Sequence, residues 1–158
     1  MPLIKNGALA DDPWTTVDDA EPLPPGPVIL SLRRFQAERE RLRGLGVPLG
    51  LRLGNAEPVA VLVPDLDAVR LVALEFPSLA DGRAFSQARL LRERHGFRGE
   101  LRATGAVLRD QVFFMKRCGF DSFVLPADRD PGEAIAALTE FSVAYQPAAD
   151  SLHRPFRT

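Results

Sequence analysis

Cysteine is almost missing from this chain. Cys118 stands alone among 158 residues, so no disulfide can form within the chain and no four-cysteine metal site can be built. Histidine is nearly as scarce. His95 and His153 show no ligand spacing with carboxylates or with Cys118, and no metal site is expected. No apolar run approaches the roughly 18 residues of a membrane span. The sequence as read opens without a charged n-region and apolar h-region, so a cytoplasmic protein with no membrane partner is the expectation. Charge of one sign is lacking too. The 20 Lys and Arg against 21 Asp and Glu leave a net charge of -1, which draws neither nucleic acid nor an anionic surface. Lys5 and Lys116 are the only lysines, an arginine bias that genome composition alone can produce.

Catalytic fingerprints are missing as well. Gly99 to Gly105 contains no Gly-x-Gly-x-x-Gly, which argues against an ordinary dinucleotide fold. Ser86 lies outside any Gly-x-Ser-x-Gly frame. Cys118 falls at a helix C-terminus, where the dipole raises a thiol's pKa, so a buried inert cysteine is expected. His95 also ends a helix, where a charged imidazole complements the dipole. Catalytic residues and cofactor stay unassigned, and whether the protein is an enzyme stays open.

What is present is a globular composition, 46% apolar and 26% charged, at a length that suits one domain with a single core. Residues 1–27 carry Asp11, Asp12, Asp18, Asp19 and the proline-rich stretch 22–27. Proline fixes its own φ and restricts its predecessor, so this segment is expected as an extended arm, with Trp14 pinning it to the body. An α/β domain over 28–146 and a C-terminal tail over 147–158 complete the division.

Within the domain, strand-like runs alternate with amphipathic segments. Val28–Leu32 reads as a strand, followed by a helix with Phe35, Leu42 and Leu45 on one face that stops at Gly44 and Gly46. Leu49–Leu53 is a second short strand. Val59–Val63, apolar throughout, reads as the clearest strand of a covered parallel sheet, followed by a short helix capped by Asp65 or Asp67. Leu71–Phe76, Glu100–Thr104 and Ser122–Leu125 read as further strands. Helices begin near Ala84, Val107 and Pro131, burying Phe85, Ala88 and Leu91, then Leu108, Val112 and Met115, then Ile135, Leu138, Phe141 and Val143. Arg94-His-Gly-Phe97 and Arg117-Cys-Gly-Phe120 repeat one pattern: a basic helix end, a glycine stop, an apolar lead into a strand. The spacing is that of a βα unit with short loops. Four to five such units in series imply a mainly parallel sheet with right-handed crossovers. The expected architecture is a three-layer α/β/α sandwich, with an incomplete βα barrel as the alternative.

Ligands of parallel α/β folds bind beyond the carboxyl ends of the strands, where helix N-termini present N–H groups. Those ends hold Glu75 with Asp81, Arg83, Ser86 and Gln87, and then Arg102 with Arg109 and Asp110. These eight are the candidate ligand-binding residues. A crevice lined by Arg83, Arg102 and Arg109 suits a small oxyanion or a phosphate-bearing ligand. The same residues also suit a structural part, with Asp81 and Arg109, or Arg102 and Asp110, pairing as salt bridges that order the loops.

The run from Phe76 to Phe123, with Asp81-Gly82-Arg83, Ser86-x-x-Arg89, Gly99-Glu100-Leu101-Arg102-Ala103, Asp110-Gln111 and Arg117-Cys118-Gly119-Phe120, resembles a bacterial family of short proteins of unknown function. The likeness extends over roughly residues 28–146 and departs at Ala106, where an aspartate is expected. Members are often labelled oxidoreductases of sulfite reduction, a label that follows genes lying beside those for assimilatory sulfite reductase. The resemblance therefore implies an accessory protein or oxidoreductase component of sulfate and sulfite assimilation, with sulfite reductase as a possible partner and a homodimer as a possible assembly. The alternative is an enzyme or sensor that binds a sulfur oxyanion or nucleotide at the arginine crevice.

Overall fold

In the computed structural model, residues 1–78 and 80–142 are described, the side chains of 140–142 excepted. In chain order the strands are β1 (Leu3–Lys5), β2 (Ala8–Ala10), β3 (Thr15–Thr16), β4 (Val28–Ser31), β5 (Leu49–Leu53), β6 (Val69–Phe76), β7 (Glu100–Gly105) and β8 (Ser122–Val124). The helices are α1 (Leu32–Ala37), α2 (Arg39–Arg43), α3 (Arg83–Arg89), α4 (Arg109–Arg117) and α5 (Pro131–Ser142). All eight strands join one sheet in the order β2-β1-β8-β7-β6-β5-β4-β3. From β3 to β8 every neighbouring pair is parallel, while β1 pairs antiparallel with both β8 and β2.

The fold is thus α/β with a mostly parallel sheet, and its strand order is that of an open barrel. Parallel strands that neighbour one another in chain order take right-handed crossovers on the same side. The alternating residues agree. Val28 and Leu30 of β4, Leu49, Leu51 and Leu53 of β5, Val72, Leu74 and Phe76 of β6, and Leu101 and Ala103 of β7 join one core with Phe35, Leu42, Ala88, Leu91, Val112 and Met115 of the helices. Ile29, Leu71 and Ala73 form a separate small cluster on the other side, packed by Trp14.

Chain continuity makes the sheet curl. From Ala10 at the end of β2 to Thr15 at the start of β3 is five steps, which reach about 18 Å when fully extended. Those strands are the two edges of the sheet. A flat sheet would hold such edges about 34 Å apart at the usual interstrand spacing. The edges must therefore bend toward each other, and residues 11–14 cross the resulting concavity as a strap. Residues 1–27, expected as an extended arm, contribute β1, β2 and β3 to the sheet and place Ile4 and Val17 in the main core.

Two expectations are corrected. Val59–Val63 does not enter the sheet but opens a 3-10 helix over Val59–Ala68. Only every third residue is buried, namely Val59, Leu62 and Asp65, while Val61 and Val63 remain exposed. Asp65 takes ion pairs from Arg39 and Arg43, and the strand that follows is the longer Val69–Phe76, so tertiary pairing overrides local β propensity. The first helix breaks into α1 and α2 around Glu38, and Leu45 is exposed although Phe35 and Leu42 are fully buried.

The glycine-stop repeat has a matching geometry. Gly96 and Gly119 both take positive φ, and the N–H groups of Phe97 and Phe120 donate back to Leu91 and Met115. After α3 the chain widens into a π-helical turn over Leu90–Arg94, which carries Arg92 into the interior. There its guanidinium donates to the carbonyl oxygens of Gly119, Phe97 and Gly99 and to Asp121 at 2.6–3.0 Å. One side chain thereby ties the ends of both repeat units together. The expected burial of Phe141 and Val143 and the tail beyond Pro147 lie outside the described residues.

Candidate functional site

At the carboxyl ends of β7 and β8, α4 and α5 both begin beside a cavity of about 280 Å³. Leu108, Arg109 and Asp110 line it from the β7 side, Leu125, Arg129, Asp130 and Glu133 from the β8 side. The chain reaches this position through Gly105, at φ 86, where a Cβ would lie 2.4 Å from the Phe76 carbonyl oxygen. That carbonyl accepts the Ala106 N–H at 2.7 Å, and the Ala106 methyl packs against the core. Leu108, the residue before α4, is extended and brings no side-chain acceptor, so the leading N–H groups of α4 have no side-chain cap. The entry to α5 differs: the Asp130 carboxylate accepts the Gly132 N–H at 2.9 Å.

The charges here are loosely held. Arg109 and Asp110 stand 4.0 Å apart with side chains 54% and 87% exposed. Arg129 has no ion pair among the described residues. The result is an open pocket with two arginines, one uncapped helix start and the carboxylates of Asp110, Asp130 and Glu133. Sequence reading named Arg109 and Asp110; it left out Asp130 and Glu133, which lie past the last strand, where only the start of α5 signals the location.

The other predicted residues sit elsewhere. Asp81, Arg83, Ser86 and Gln87 cluster at the start of α3. Asp81 accepts from the Arg83 backbone and guanidinium and from Asn55. The Arg83 hydrogen bond is the largest of the influences that hold the Asp81 carboxyl below its usual range, and the same contact raises Arg83. Ser86 is exposed. Gln87 is buried and donates to the carbonyl oxygens of Gly54 and Glu57, so it braces the loop after β5. The expected pairings of Asp81 with Arg109 and of Arg102 with Asp110 do not form, because each of these residues finds a nearer partner.

Arg102 turns away from the helices onto the concave side. It is 2% exposed and donates to Glu100 at 3.0 Å and to Asp12 of the strap at 2.9 Å. Glu100 also takes Lys5 at 2.9 Å and the Ser122 hydroxyl at 2.6 Å. Burial pushes the Glu100 carboxyl up, but the hydrogen bonds from Ser122, Lys5 and Arg102 outweigh it and leave the pKa lowered. Glu75 is exposed at the end of β6, in register with Thr104. Arg83, Arg102 and Arg109 therefore do not share one crevice. The strand period explains the split. Arg102 alternates with Leu101 and Ala103, both in the main core, and so points to the opposite face.

Cys118 is fully buried, and desolvation raises its thiol pKa although Arg89 and Arg117 oppose it. Among the described residues no group of three or more His, Cys, Asp and Glu is placed to hold a metal ion. Nor, among the described residues, is any helix long and apolar enough to cross a membrane.

A family model of bacterial proteins of unknown function, DUF934, matches residues 50–156. No curated protein matches the chain.

Proposed function

The chain belongs to the DUF934 family, and from its carboxyl-end pocket we propose that it binds a small oxyanion, either a sulfur oxyanion or the phosphate of a nucleotide, as a component of assimilatory sulfite reduction. One observation carries this reading: Arg109 and Arg129 meet at a cavity where α4 and α5 both start. Loosely paired guanidiniums exchange a weak carboxylate contact for a charge-assisted bond to a tetrahedral oxyanion at little cost. Uncapped N–H groups at the head of α4 favour negative charge in the same place. The sulfur context comes from the likeness over residues 76–123 and not from the pocket itself.

Calorimetric titration with sulfite, sulfate and inorganic phosphate tests the reading. The wild type is expected to bind one of them saturably, and Arg109→Ala to weaken that binding by roughly tenfold, the loss of one charge-assisted contact. Because Arg109 is exposed, circular dichroism of the variant should match wild type. Equal binding by both proteins, or none by either, rejects the proposal.

A docking role has its own support. Phe114 is 45% exposed on α4, its ring tilted against Phe85 at 4.8 Å, and Phe85 in turn packs edge-on against Phe76 at 4.9 Å. An exposed aromatic braced by the core is the kind of anchor that protein interfaces use. If the protein is an accessory subunit, purified sulfite reductase should retain it at low salt and release the Phe114→Ser variant. No retention of the wild type ends this second reading.

A further inference from the structure

The concave side of the sheet carries a row of residues that the pocket does not use. Ser31 of β4 pairs with Arg52 of β5, Arg52 with Ala73 of β6, Ala73 with Arg102 of β7, and Arg102 with Ser122 of β8, which faces Lys5 of β1. Residues in register share a face. Lys5, Arg52 and Arg102 thus stand along one line, with only the methyl of Ala73 between the two arginines, about 10 Å apart by strand spacing. Arg52 is exposed and has no ion pair among the described residues.

One row toward the start of the strands, Ile29, Gly50 and Leu71 make an apolar floor, and the Trp14 indole lies on it. Gly50 makes the room: a Cβ there would sit 3.1 Å from Ile29, 3.2 Å from the indole and 3.3 Å from Leu71. The strap holds on by few side-chain contacts. Asp12 meets Arg102 and accepts the Trp14 backbone N–H at 3.0 Å, while Asp11, Asp12 and Pro13 are exposed. It presents a flat bicyclic ring and a carboxylate to an apolar floor beside excess positive charge. With Asp12 withdrawn, Lys5, Arg52 and Arg102 would face Glu100 and, one row further on, Glu75, leaving the face short of one negative charge.

We infer that this concave face is a binding site for a purine nucleoside phosphate, and that Asp12 and Trp14 occupy it in the closed state as an internal substitute for the ligand. A purine matches indole in planarity and size, and a phosphate replaces the Asp12 carboxylate at Arg102 with Arg52 within its reach. Strap opening then precedes or accompanies binding, so apparent affinity is the intrinsic affinity multiplied by the open fraction.

Adenosine 5′-monophosphate, titrated into the full chain, provides the test. Trp14 is the only tryptophan, so its emission reports the strap directly. Nucleotide should shift that emission to longer wavelength as the indole leaves the floor for water. Asp12→Asn keeps the acceptor for the Trp14 N–H but removes the competing charge, and should bind the nucleotide roughly tenfold tighter by calorimetry. Adding Arg52→Gln to that variant should weaken binding several-fold, and adenosine or inorganic phosphate alone should bind at least about tenfold more weakly than the nucleotide. Equal affinity of Asp12→Asn and wild type overturns the inference. So does nucleotide binding that Arg52→Gln leaves unchanged and Arg109→Ala abolishes; that result would instead assign the nucleotide to the pocket between α4 and α5.

Discussion

At the scale of single residues, Arg92 is the side chain on which the local geometry most depends. Desolvation lowers its pKa while Asp121 opposes the shift, and its guanidinium satisfies three backbone carbonyls. Arg92→Ala leaves three carbonyl oxygens without their donor, while Asp121, partly exposed, keeps only the Leu101 N–H, and should cost about 3 kcal/mol in a denaturant titration, chiefly from the unsatisfied buried acceptors. Gly105→Ala is a second sensitive position, since φ 86 and the 2.4 Å approach to the Phe76 oxygen leave no place for a methyl. A loss of more than about 2 kcal/mol is expected in the same titration, from combined backbone strain and clash. Glu100 supplies a pH signature. Its folded pKa is lowered below 4.5, so its contribution is present above the unfolded value and is lost as pH falls through the folded one. Glu100→Gln should therefore lower the melting temperature near neutral pH, and the difference from wild type should shrink on acidification below that range.

At the scale of elements, the strap and the 3-10 helix show what a sequence discloses and what it withholds. Gly50→Ala should push the indole outward by a few tenths of an ångström. Trp14 emission should move to longer wavelength and stability should fall by about 1 kcal/mol, a mild overpacking cost; unchanged emission would mean that the indole does not rest on β5. The repeated glycine stops at Gly96 and Gly119 were legible because a positive φ at a helix end needs glycine and the following phenylalanine has to be buried. The run at Val59–Val63 was not legible in the same way. Its composition satisfies a strand equally well, and only the competition with Val69–Phe76 for the place beside β5 decides that it winds into a helix. Strand alternation was present in Gly50-Leu51-Arg52 and in Leu101-Arg102-Ala103. The partner of Arg102 on the concave side, Asp12, is 90 residues away, and no local pattern announces such a contact.

At the scale of the whole molecule, a mostly parallel sheet in which β3 to β8 follow chain order, bent until residues 11–14 can cross its opening, separates two environments. Helix starts and loose arginines gather at the carboxyl ends of the strands, while the concave side is neutralised internally by Lys5, Glu100, Arg102 and Asp12. The sequence brought out the first environment through Arg109 and Asp110 and merged it with the second through Arg102, because residue spacing along a strand does not show which face the sheet leaves uncovered. Oxyanion binding at the pocket between α4 and α5 is tested most directly by amide chemical shifts of the wild-type protein during titration with sulfite and, in parallel, with phosphate. Perturbations concentrated at Val107–Gln111 and Arg129–Ala134 are expected. Perturbations centred on the start of α3, or spread without focus over the surface, would contradict it.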